Sequence, residues 1–373
     1  MIDFNTKKPI PFVNIGIIDA GVGTVSDEKG LFKLTLEVQQ YPKDAQILFS
    51  ALGYETFFIP TSNIVQYNDE YLEVPLKPSF LKLNEVIVSN KDGRFIDDNV
   101  GYRNYGEKSF GYWKNNIALG GELATKIKVK KGLRRLKKLE FEVWSNPSDS
   151  LLLRINFYED DGNLGKPKTN LNTSQKNIYC TITDKDHIVK VDLEPFDIYV
   201  KDNFITSLEL LKVYGENELG LILAAAPQYT KEGENLQRRG VTLLESDGNG
   251  SYRKYSSQDK WEFLSDLNMA YYIESELMVS EKVANRFERR MQKKKKKQQT
   301  ISGFTLFNGR MVSGVSIFNT RTKDNVISDD KGRYKIPAKA KDTISFSKRG
   351  FIKLYVQATA KPSLNVMMKA ESN

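Results

Sequence analysis

An acidic loop carries the side chains with the clearest potential for metal chemistry. Glu159–Asn163 places three carboxylates and an amide directly after a β pattern, and Asp160 and Asp161 are its candidate ligands for Ca²⁺, which prefers oxygen donors. The spacing of an EF-hand loop is absent, and Asp-Gly-Asn is also an ordinary turn sequence. Residues 246–250 (Ser-Asp-Gly-Asn-Gly) are even more typical of a turn. We therefore expect turns at both loops and no cofactor, with Ca²⁺ as the alternative.

Three tryptophans, Trp113, Trp144 and Trp261, are the candidate ligand-binding residues. An aromatic ring offers an apolar face on which a sugar can stack, so together they could form a carbohydrate platform. All three flank predicted strands in a region that needs large apolar side chains for its core. Burial is therefore the favoured prediction, and a sugar site is the alternative.

The chain has one histidine, His187, and one cysteine, Cys180. Zinc sites and Ser-His-Asp triads need imidazoles, mostly more than one, so most hydrolase chemistry is excluded. A single cysteine also excludes an intrachain disulfide. His187 lies at a predicted turn and is expected on the surface, whereas Cys180 lies in an alternating strand and is expected in the core. We predict no catalytic residue; a hydrolase with a carboxylate pair is a third hypothesis, since the sequence does not show which acids converge.

The net charge of +9 comes from two short basic stretches. Residues 281–299 hold nine Lys/Arg and two Glu, and residues 126–138 hold eight Lys/Arg and no acid, so the rest of the chain is net acidic. A nucleic-acid-binding face would interleave aromatic residues with spread basic charge, so nucleic acid is an unfavoured partner. The longest basic run is predicted to be an extended, solvated linker, with an anionic membrane surface or an acidic partner as its alternative. It consists of Lys293, Lys294, Lys295, Lys296 and Lys297.

The two ends of the chain repeat each other. Val25–Gly30 (VSDEKG) and Ile327–Gly332 (ISDDKG) stand at an offset of 302 residues, and the apolar residues around them match as well. Ile47–Glu55 and Ile344–Phe351 match at an offset of 297. Alternating apolar residues predict strands, and the Asp-x-x-Gly sequences predict turns between them. Each copy is therefore predicted to be a small antiparallel sandwich.

These motifs resemble the carboxypeptidase-regulatory-like domain, a transthyretin-like β-sandwich. The first copy carries PIPFVNIGI, GTVSDEKGLFKL and ILFSALGYE, and the second carries VSGVSIFN, VISDDKGRYKI and ISFSKRGF. In that family the domain often stands at the amino end of TonB-dependent outer-membrane receptors, where it finishes in a stretch like Leu83–Val88. No sequence like the rest of such a receptor follows here. The resemblance implies a non-catalytic role in a cell envelope.

The repeat also gives an expectation about the amino end. At the offset of 302, Met1 falls on Gly303, so Ile301 and Ser302 have no partner in the first copy. We expect that residues ahead of Met1 have been removed, as a signal sequence, as a lipoprotein leader or by trimming for expression. The predicted location is the cell envelope of a Gram-negative bacterium, in the periplasm or at the outer membrane, with a lipid anchor in the lipoprotein case.

Between the repeats, residues 101–278 show strong β patterning with regular turn signals, and their order of elements resembles a jelly-roll binding module. Ser280 and Glu281 are typical of a helix start and predict a helix of about twelve to fifteen residues. The expected fold class is all-β. Two transthyretin-like β-sandwich domains, residues 1–90 and 300–373, flank a central jelly-roll-like β-sandwich, with one short basic helix and linker in residues 279–299.

These features predict a non-enzymatic scaffold or binding protein, an accessory subunit of an outer-membrane receptor or assembly complex. Its partners would be outer-membrane or periplasmic proteins. The alternative is a carbohydrate-binding protein that holds a polysaccharide through its central sandwich.

Overall fold

The structure is a computed structural model that describes residues 1–42, 44–64, 71–79, 93–106, 108–113, 118–216, 219–227, 250–264, 267–297 and 300–371. The chain divides into two compact units. Unit 1 is Met1–Arg103 with Ser109–Val279, and unit 2 is Asn104–Lys108 with Ser280–Asn373. Strands dominate both units, which confirms the all-β class. No helix among the described residues is long and apolar enough to cross a membrane.

The first end module opens unit 1. Its elements are β1 (Ile2–Asp3), β2 (Asn14–Ile17), β3 (Val22–Val25), β4 (Gln46–Ser50), β5 (Phe57–Pro60), α1 (Thr61–Ile64) and β6 (Pro75–Leu76). An antiparallel sheet has the order β3-β2-β4-β5, and β1 pairs in parallel with β6. Because successive side chains of a strand point to opposite faces, Ile15 and Ile17 of β2 enter one core with Leu76 of β6.

The central sandwich supplies the rest of unit 1. Its strands are β7 (Arg94–Asp97), β8 (Val100–Gly101), β9 (Phe110–Tyr112), β10 (Glu122–Ile127), β11 (Arg134–Ser145), β12 (Ser150–Glu159), β13 (Ile178–Thr183), β14 (Ile188–Asp192), β15 (Tyr199–Val200), β16 (Phe204–Tyr214), β17 (Ile222–Pro227), β18 (Ser251–Lys254), β19 (Glu262–Leu264), β20 (Leu267–Met269) and β21 (Tyr272–Val279). The first sheet has the order β13-β12-β16-β10-β18-β19. The second has the order β20-β17-β11-β21-β7, with β14 and β15 also paired to β11, β8 to β21 and β9 to β17.

The two central sheets share one apolar core. Leu153, Ile155 and Phe157 of β12 are almost fully buried in it together with Phe141 of β11. The residues between them on β12, such as Arg154, therefore lie on the outer face of the first sheet. The central region is a β-sandwich, as expected, while its jelly-roll subtype stays a prediction.

Unit 2 contains a long helix and the second end module. Helix α2 spans Glu281–Lys297, and the strands are β22 (Thr300–Phe307), β23 (Arg310–Met311), β24 (Ser316–Asn319), β25 (Asn325–Ile327), β26 (Arg333–Pro337), β27 (Thr343–Ser347), β28 (Phe351–Ile352), β29 (Leu354–Gln357), β30 (Val366–Met367) and β31 (Lys369–Ala370). One sheet has the order β25-β24-β27-β29, and β22 pairs with β23, β26 and β30. The segment Asn104–Lys108 belongs to this unit, where the Tyr105 ring lies 4.4 Å from the Phe318 ring.

Helix α2 starts where the sequence predicts but ends later. It continues through the lysine run to Lys297, so the prediction of an extended linker at Lys293–Lys297 is wrong for the backbone. Lysine is a good helix former, and positive charge near a helix C-terminus interacts favourably with the helix dipole. The side chains of these five lysines lie outside the described part of the chain.

The two end modules share their strand order and register. The sheet β3-β2-β4-β5 corresponds to β25-β24-β27-β29. Ile15 lies opposite Phe49 in the first module, and Ile317 lies opposite Phe346 in the second. The internal repeat inferred from the sequence is therefore a repeat of structure.

The Asp-x-x-Gly turn has the same hydrogen bonds in both modules. Asp27 Oδ1 accepts two backbone N–H bonds at 2.8 Å, and Asp329 Oδ1 accepts two at 2.8 and 3.0 Å. Gly30 and Gly332 close the turns with φ of +73° and +66°, which residues with a Cβ rarely adopt. The short motif thus fixes the same turn twice.

Met1 corresponds to Thr305, not to Gly303 as the sequence offset predicts. The Met1 ammonium donates to Gly30 O at 2.7 Å, and the Thr305 backbone N–H donates to the equivalent Gly332 O at 2.9 Å. The first module has two more residues between this bond and its central strand, so a constant offset misplaces the segment.

Candidate functional site

A row of four charged side chains crosses the outer face of the first central sheet. Arg154 on β12, Glu209 on β16, Glu122 on β10 and Lys254 on β18 follow one another as direct cross-strand neighbours. Only 1% of Glu122 and 1% of Glu209 is exposed. We call these four residues the charged row.

Each charge in the charged row has a partner within it. Arg154 donates to the two carboxylate oxygens of Glu209 at 2.7 and 2.8 Å, and Lys254 donates to Glu122. Asn156 Nδ2 lies 2.7 Å from Glu209 Oε2 and 3.4 Å from Glu122 Oε2, so one amide links the two acids. Buried charges are tolerated only when they are paired and hydrogen-bonded in this way.

Burial and charge act in opposite directions on the pKa of Glu209. Burial is the largest effect and raises its pKa. The charge and hydrogen bonds of Arg154, with smaller contributions from Lys254 and Asn156, together outweigh burial and hold the pKa of Glu209 below its usual value. Tyr158, which donates to Glu122 Oε2 at 3.0 Å, has its pKa raised well above the usual value by burial and then by the charge of Glu122. Glu209 is therefore ionised and Tyr158 neutral at neutral pH.

Two carboxylic acids close to each other are also the chemical requirement for glycoside hydrolysis. A glycosidase needs both acids to reach the sugar, and one of them to be protonated. Here Glu122 and Glu209 are almost inaccessible, and each forms an ion pair with its own cation. The burial and the ion pairs of both acids therefore do not fit the carboxylate pair of a glycosidase.

The first end module covers part of this face. Arg154 Nη1 donates to Phe12 O at 2.9 Å, and the Phe12 ring packs edge-on against Tyr179 with 5.4 Å between the ring centroids. Phe12 and Val25 also join Leu152 of the central sheet in a small apolar cluster. The charged row is thus joined to the first end module by a charge-assisted hydrogen bond and by apolar packing.

Further contacts extend this interface on both sides. Glu28 accepts hydrogen bonds from Lys212 Nζ at 2.7 Å and from Tyr214 OH at 3.0 Å. A Cβ added at Gly23 would lie 2.0 Å from Ser257 O, so the two backbones approach too closely for any other residue. The first end module and the central sandwich consequently form one body, consistent with their place in one compact unit.

A shallow groove of about 480 Å³ follows the same interface. Its lining includes Asp27, Leu31 and Phe32 from the first end module and Leu119 and Leu211 from the central sandwich. No titratable constellation converges in it among the residues that the structure describes, so its shape alone assigns no chemistry.

The acidic loop forms a turn in which both candidate metal ligands are occupied. Asp160 pairs with Lys126 Nζ at 2.6 Å. Asp161 accepts from the Thr169 hydroxyl at 2.6 Å and from the Thr169 backbone N–H at 2.9 Å, and these bonds lower its pKa. Within the described ranges, no cluster of three or more acidic, histidine or cysteine side chains could hold a metal ion.

The structure does not bring the three tryptophans together. Trp113 is fully buried in the central core. Trp261 is half-buried beside Tyr158, with Lys254 Nζ 4.9 Å from its ring centroid. Trp144 is half-buried elsewhere and donates from Nε1 to Glu142 Oε1 at 3.0 Å. A single tryptophan platform is therefore absent.

Trp144 instead belongs to a patch that the sequence analysis missed. Phe110 and Tyr112 are exposed on β9, with the Phe110 ring 6.1 Å from Trp144 and 6.3 Å from Tyr112. Pairing of β9 with β17, and of β17 with β11, places the three rings on the outer face of the second sheet. We call these three residues the aromatic patch. The F-G-Y alternation of β9 was the available signal.

The single histidine and cysteine differ in how well they match expectation. His187 is exposed, as predicted for a turn residue. Cys180 is half-buried and packs against the central core, so the predicted core position is confirmed only in part. It lies on β13, the edge strand of its sheet among the described residues. Burial still raises the pKa of its thiol to about 11, so the thiolate is scarce at neutral pH.

The charged row escaped the sequence analysis for a specific reason. Its members come from four strands separated by long stretches of chain, and only the register of the sheet makes them neighbours. A weak signal existed, because Arg154 interrupts LLLRINF and Glu209 interrupts SLELL, both otherwise apolar. Two other sequence predictions, the turn at residues 246–249 and the receptor-like stretch Leu83–Val88, lie outside the described residues.

Comparison with solved structures returns pilus proteins and a virus structure at low similarity. The group B streptococcus pilus 2b backbone protein is 9% identical, covering 70% of this chain and 96% of its own, with a TM-score of 0.15. The Bacillus cereus major pilin BcpA is 9% identical, covering 100% and 98%, with a TM-score of 0.15. The infectious bursal disease virus Gt strain structure is 9% identical, covering 78% and 71%, with a TM-score of 0.23. TM-scores this low carry no argument about fold or function.

No curated protein matches the chain. A family model matches its amino end, in agreement with the resemblance seen in the motifs there. The match does not extend to the second end module, whose kinship rests on the shared register. The model that matches is that of the CarboxypepD_reg-like domain, over residues 1–88.

Proposed function

We propose that this protein is a non-enzymatic scaffold or binding protein of a Gram-negative cell envelope, an accessory of a larger outer-membrane or periplasmic complex. The observation that carries the proposal is the close packing of the first end module on the central sandwich. Ion pairs that could serve catalysis are buried between structural elements instead of facing a cleft. The first end module and the central sandwich together present broad sheet surfaces. Such surfaces suit contacts with other proteins better than catalysis, which needs a cleft.

The family match supports the non-enzymatic part of the proposal. The CarboxypepD_reg-like model covers residues 1–88, and the domain is named for a regulatory role.

In the second end module, Asp342 forms an ion pair with Arg321 and accepts from Asn319 Nδ2 at 2.9 Å, so this nearly buried acid also serves the fold.

The test determines, in the native organism, where the protein is located and which protein it contacts. A photo-crosslinking residue replaces an exposed ring, Tyr355 in one variant and Tyr71 in another, and cells are fractionated after irradiation. We expect the chain in the envelope fraction, crosslinked to one defined envelope protein from at least one position. Recovery in the cytoplasm, or hydrolysis of glycoside, ester or peptide substrates by the pure protein, would contradict the proposal.

The aromatic patch favours one second candidate, polysaccharide binding. Phe110, Tyr112 and Trp144 present ring faces on an open sheet surface, and Glu142 beside them supplies a hydrogen-bond acceptor. Stacking on rings combined with a polar edge is how proteins hold sugars.

Calorimetric titration with envelope polysaccharides tests this candidate. We expect saturable binding that the double substitution Phe110→Ala and Trp144→Ala abolishes. Tyr355→Ala, which removes an exposed ring in unit 2, is the matched control and should leave binding unchanged. Binding that survives the double substitution would remove the patch from consideration.

A further inference from the structure

Two acids on β11 differ in their partners. Glu140 and Glu142 stand two residues apart, so the alternation of the strand places both on the outer face of the second central sheet, away from the core. Glu140 is paired with two cations, Arg103 Nη1 at 2.6 Å and Lys190 Nζ at 3.5 Å. Glu142 forms no ion pair with any residue that the structure describes, and its hydrogen bond comes from Trp144 Nε1 at 3.0 Å.

The position of Glu142 is unfavourable for a carboxylate without a cation. Burial raises the pKa of Glu142, the hydrogen bond from Trp144 lowers it, and the negative charge of Glu140 raises it again. The net effect is a raised pKa, because the charged form is partly desolvated. The buried acids of the first central sheet, Glu122 and Glu209, each have a cation of their own. A positive charge beside Glu142 would therefore stabilise its ionised form.

The aromatic patch begins directly beside this acid. Trp144, which donates to Glu142, is followed by the Phe110 ring at 6.1 Å and then by the Tyr112 ring at 6.3 Å from Phe110. The three rings thus form a row on an open sheet surface, and Glu142 lies at the Trp144 end. A row of rings fits an extended ligand with several apolar faces, whereas a compact ammonium ion is held by rings that surround it.

The other end of the row has a positive charge, but it is buried. The Arg253 guanidinium lies 5.1 Å from the centroid of the Tyr112 ring, and its Nη2 donates to Tyr112 O at 3.0 Å. Only 8% of Arg253 is exposed, so its charge serves the backbone and is not presented to solvent. The charge that the row offers to a ligand is therefore the negative charge of Glu142.

We propose that the aromatic patch and Glu142 together bind an amino polysaccharide, a chain of sugars that carries free ammonium groups. The rings stack on the sugar rings, and the Glu142 carboxylate accepts a charge-assisted hydrogen bond from an ammonium group beside Trp144. A chain with carboxylate or phosphate groups would bring a second negative charge to the same place, which is repulsive. This inference rests on the second candidate function, polysaccharide binding, and adds the charge class of the ligand.

The experiment compares two oligosaccharides that differ only in their amino groups. The full chain is titrated calorimetrically with a glucosamine hexamer and with the N-acetylglucosamine hexamer, at a pH that keeps the free amines protonated. The ionic strength is low, because salt screens a charge pair at the surface. We expect the glucosamine hexamer to bind at least about tenfold more tightly, since a hydrogen bond between charged groups is stronger than one between neutral groups.

Two single substitutions separate the charge from the rings. Glu142→Gln keeps an acceptor for Trp144 Nε1 but removes the charge, so it should weaken binding of the glucosamine hexamer about tenfold and leave the N-acetylated hexamer unaffected. Its melting temperature should not fall, because the charge that it removes is partly desolvated. Phe110→Ala should weaken both hexamers. Glu262→Gln on β19, in the other central sheet, removes the same charge away from the patch and is the matched control.

The outcomes distinguish this proposal from the candidate function on which it rests. Equal binding of the two hexamers, or full affinity of Glu142→Gln for the glucosamine hexamer, would overturn the amine preference and leave polysaccharide binding in place. An equal loss in Glu142→Gln and Glu262→Gln would show a general attraction to acidic groups and would also overturn it. If neither hexamer binds saturably, the proposal is wrong, whereas the candidate function falls only if the envelope polysaccharides also fail to bind.

Discussion

The two end modules have nearly the same turn, register and central strand, yet LFKL and RYKI end up in different states. RYKI is a strand in the second module, where β22 pairs with it, whereas LFKL has no such partner and no regular structure among the described residues. Strand propensity and alternation are alike in the two segments. The comparison shows that a β pattern becomes a strand only when its neighbour supplies the other half of the ladder.

The modules differ again in what surrounds them. The first end module packs on the central sandwich through Arg154, Phe12 and Glu28, and both belong to one compact unit. The second end module has its own ion pair between Arg321 and Asp342. The stability of the first module therefore depends on contacts with the central sandwich. Substitutions in each module can show how far its stability depends on its own contacts.

The largest expected effect is at the charged row. Glu209→Ala leaves the Arg154 guanidinium buried without its ion partner, which costs about 3–5 kcal/mol. Urea unfolding followed by tryptophan fluorescence measures this in unit 1, because Trp113, Trp144 and Trp261 all lie there. Glu209→Gln retains the shape and should lose less. A cost below about 1 kcal/mol for Glu209→Ala would show that water replaces the missing carboxylate.

The shared turns allow a matched pair of substitutions. Gly30→Ala and Gly332→Ala each force a Cβ into left-handed backbone, at a cost of about 1–2 kcal/mol. Gly30→Ala should cost more, because its Cβ would lie 2.5 Å from Met1 O, against 2.9 Å from Thr305 O for Gly332→Ala. Chemical denaturation of the two variants, with Tyr355→Trp as a reporter in unit 2, compares them. A larger loss at Gly332 would contradict the closer backbone contact at Gly30.

Acid should act on the second module through Asp342. Hydrogen bonds from Arg321 lower the pKa of Asp342 despite its burial, so the carboxylate stabilises the fold above its unfolded pKa, and this stability is lost as pH falls through the lowered folded pKa. The first module has Ala45 at this position. Asp342→Asn should flatten the acid limb of the unfolding profile of unit 2, read from the Tyr355→Trp reporter. An unchanged acid limb would assign the pH dependence to other groups.

The smallest expected effect concerns the lysine run on α2. If an anionic membrane surface is a partner, Lys293–Lys297 should give salt-sensitive binding to vesicles that contain phosphatidylglycerol, at about 1 kcal/mol per lysine near the surface. Replacing all five lysines by glutamine should remove this binding, and vesicles of neutral lipid are the control. Binding that persists after replacement would point to another basic stretch, such as residues 126–138.

Local patterns predicted more of this molecule than long-range ones. The Asp-x-x-Gly turns, the alternation of β2 and β24 and the start of α2 depend on a few neighbouring residues, and all were visible in the sequence. The charged row and the aromatic patch depend on the registers of strands far apart in the chain, which no local pattern encodes. The end of α2 lies later than the sequence predicts because the helix propensity of lysine outweighs charge repulsion within the lysine run.

Hydrogen exchange of residues 32–36 against residues 334–336, in the same molecule, tests the central comparison most directly. Residues 334–336 pair with β22 and should exchange slowly, whereas residues 32–36 should exchange at nearly the rate of an unstructured chain. Equal protection of the two segments would contradict the account of the two modules built on their different pairing.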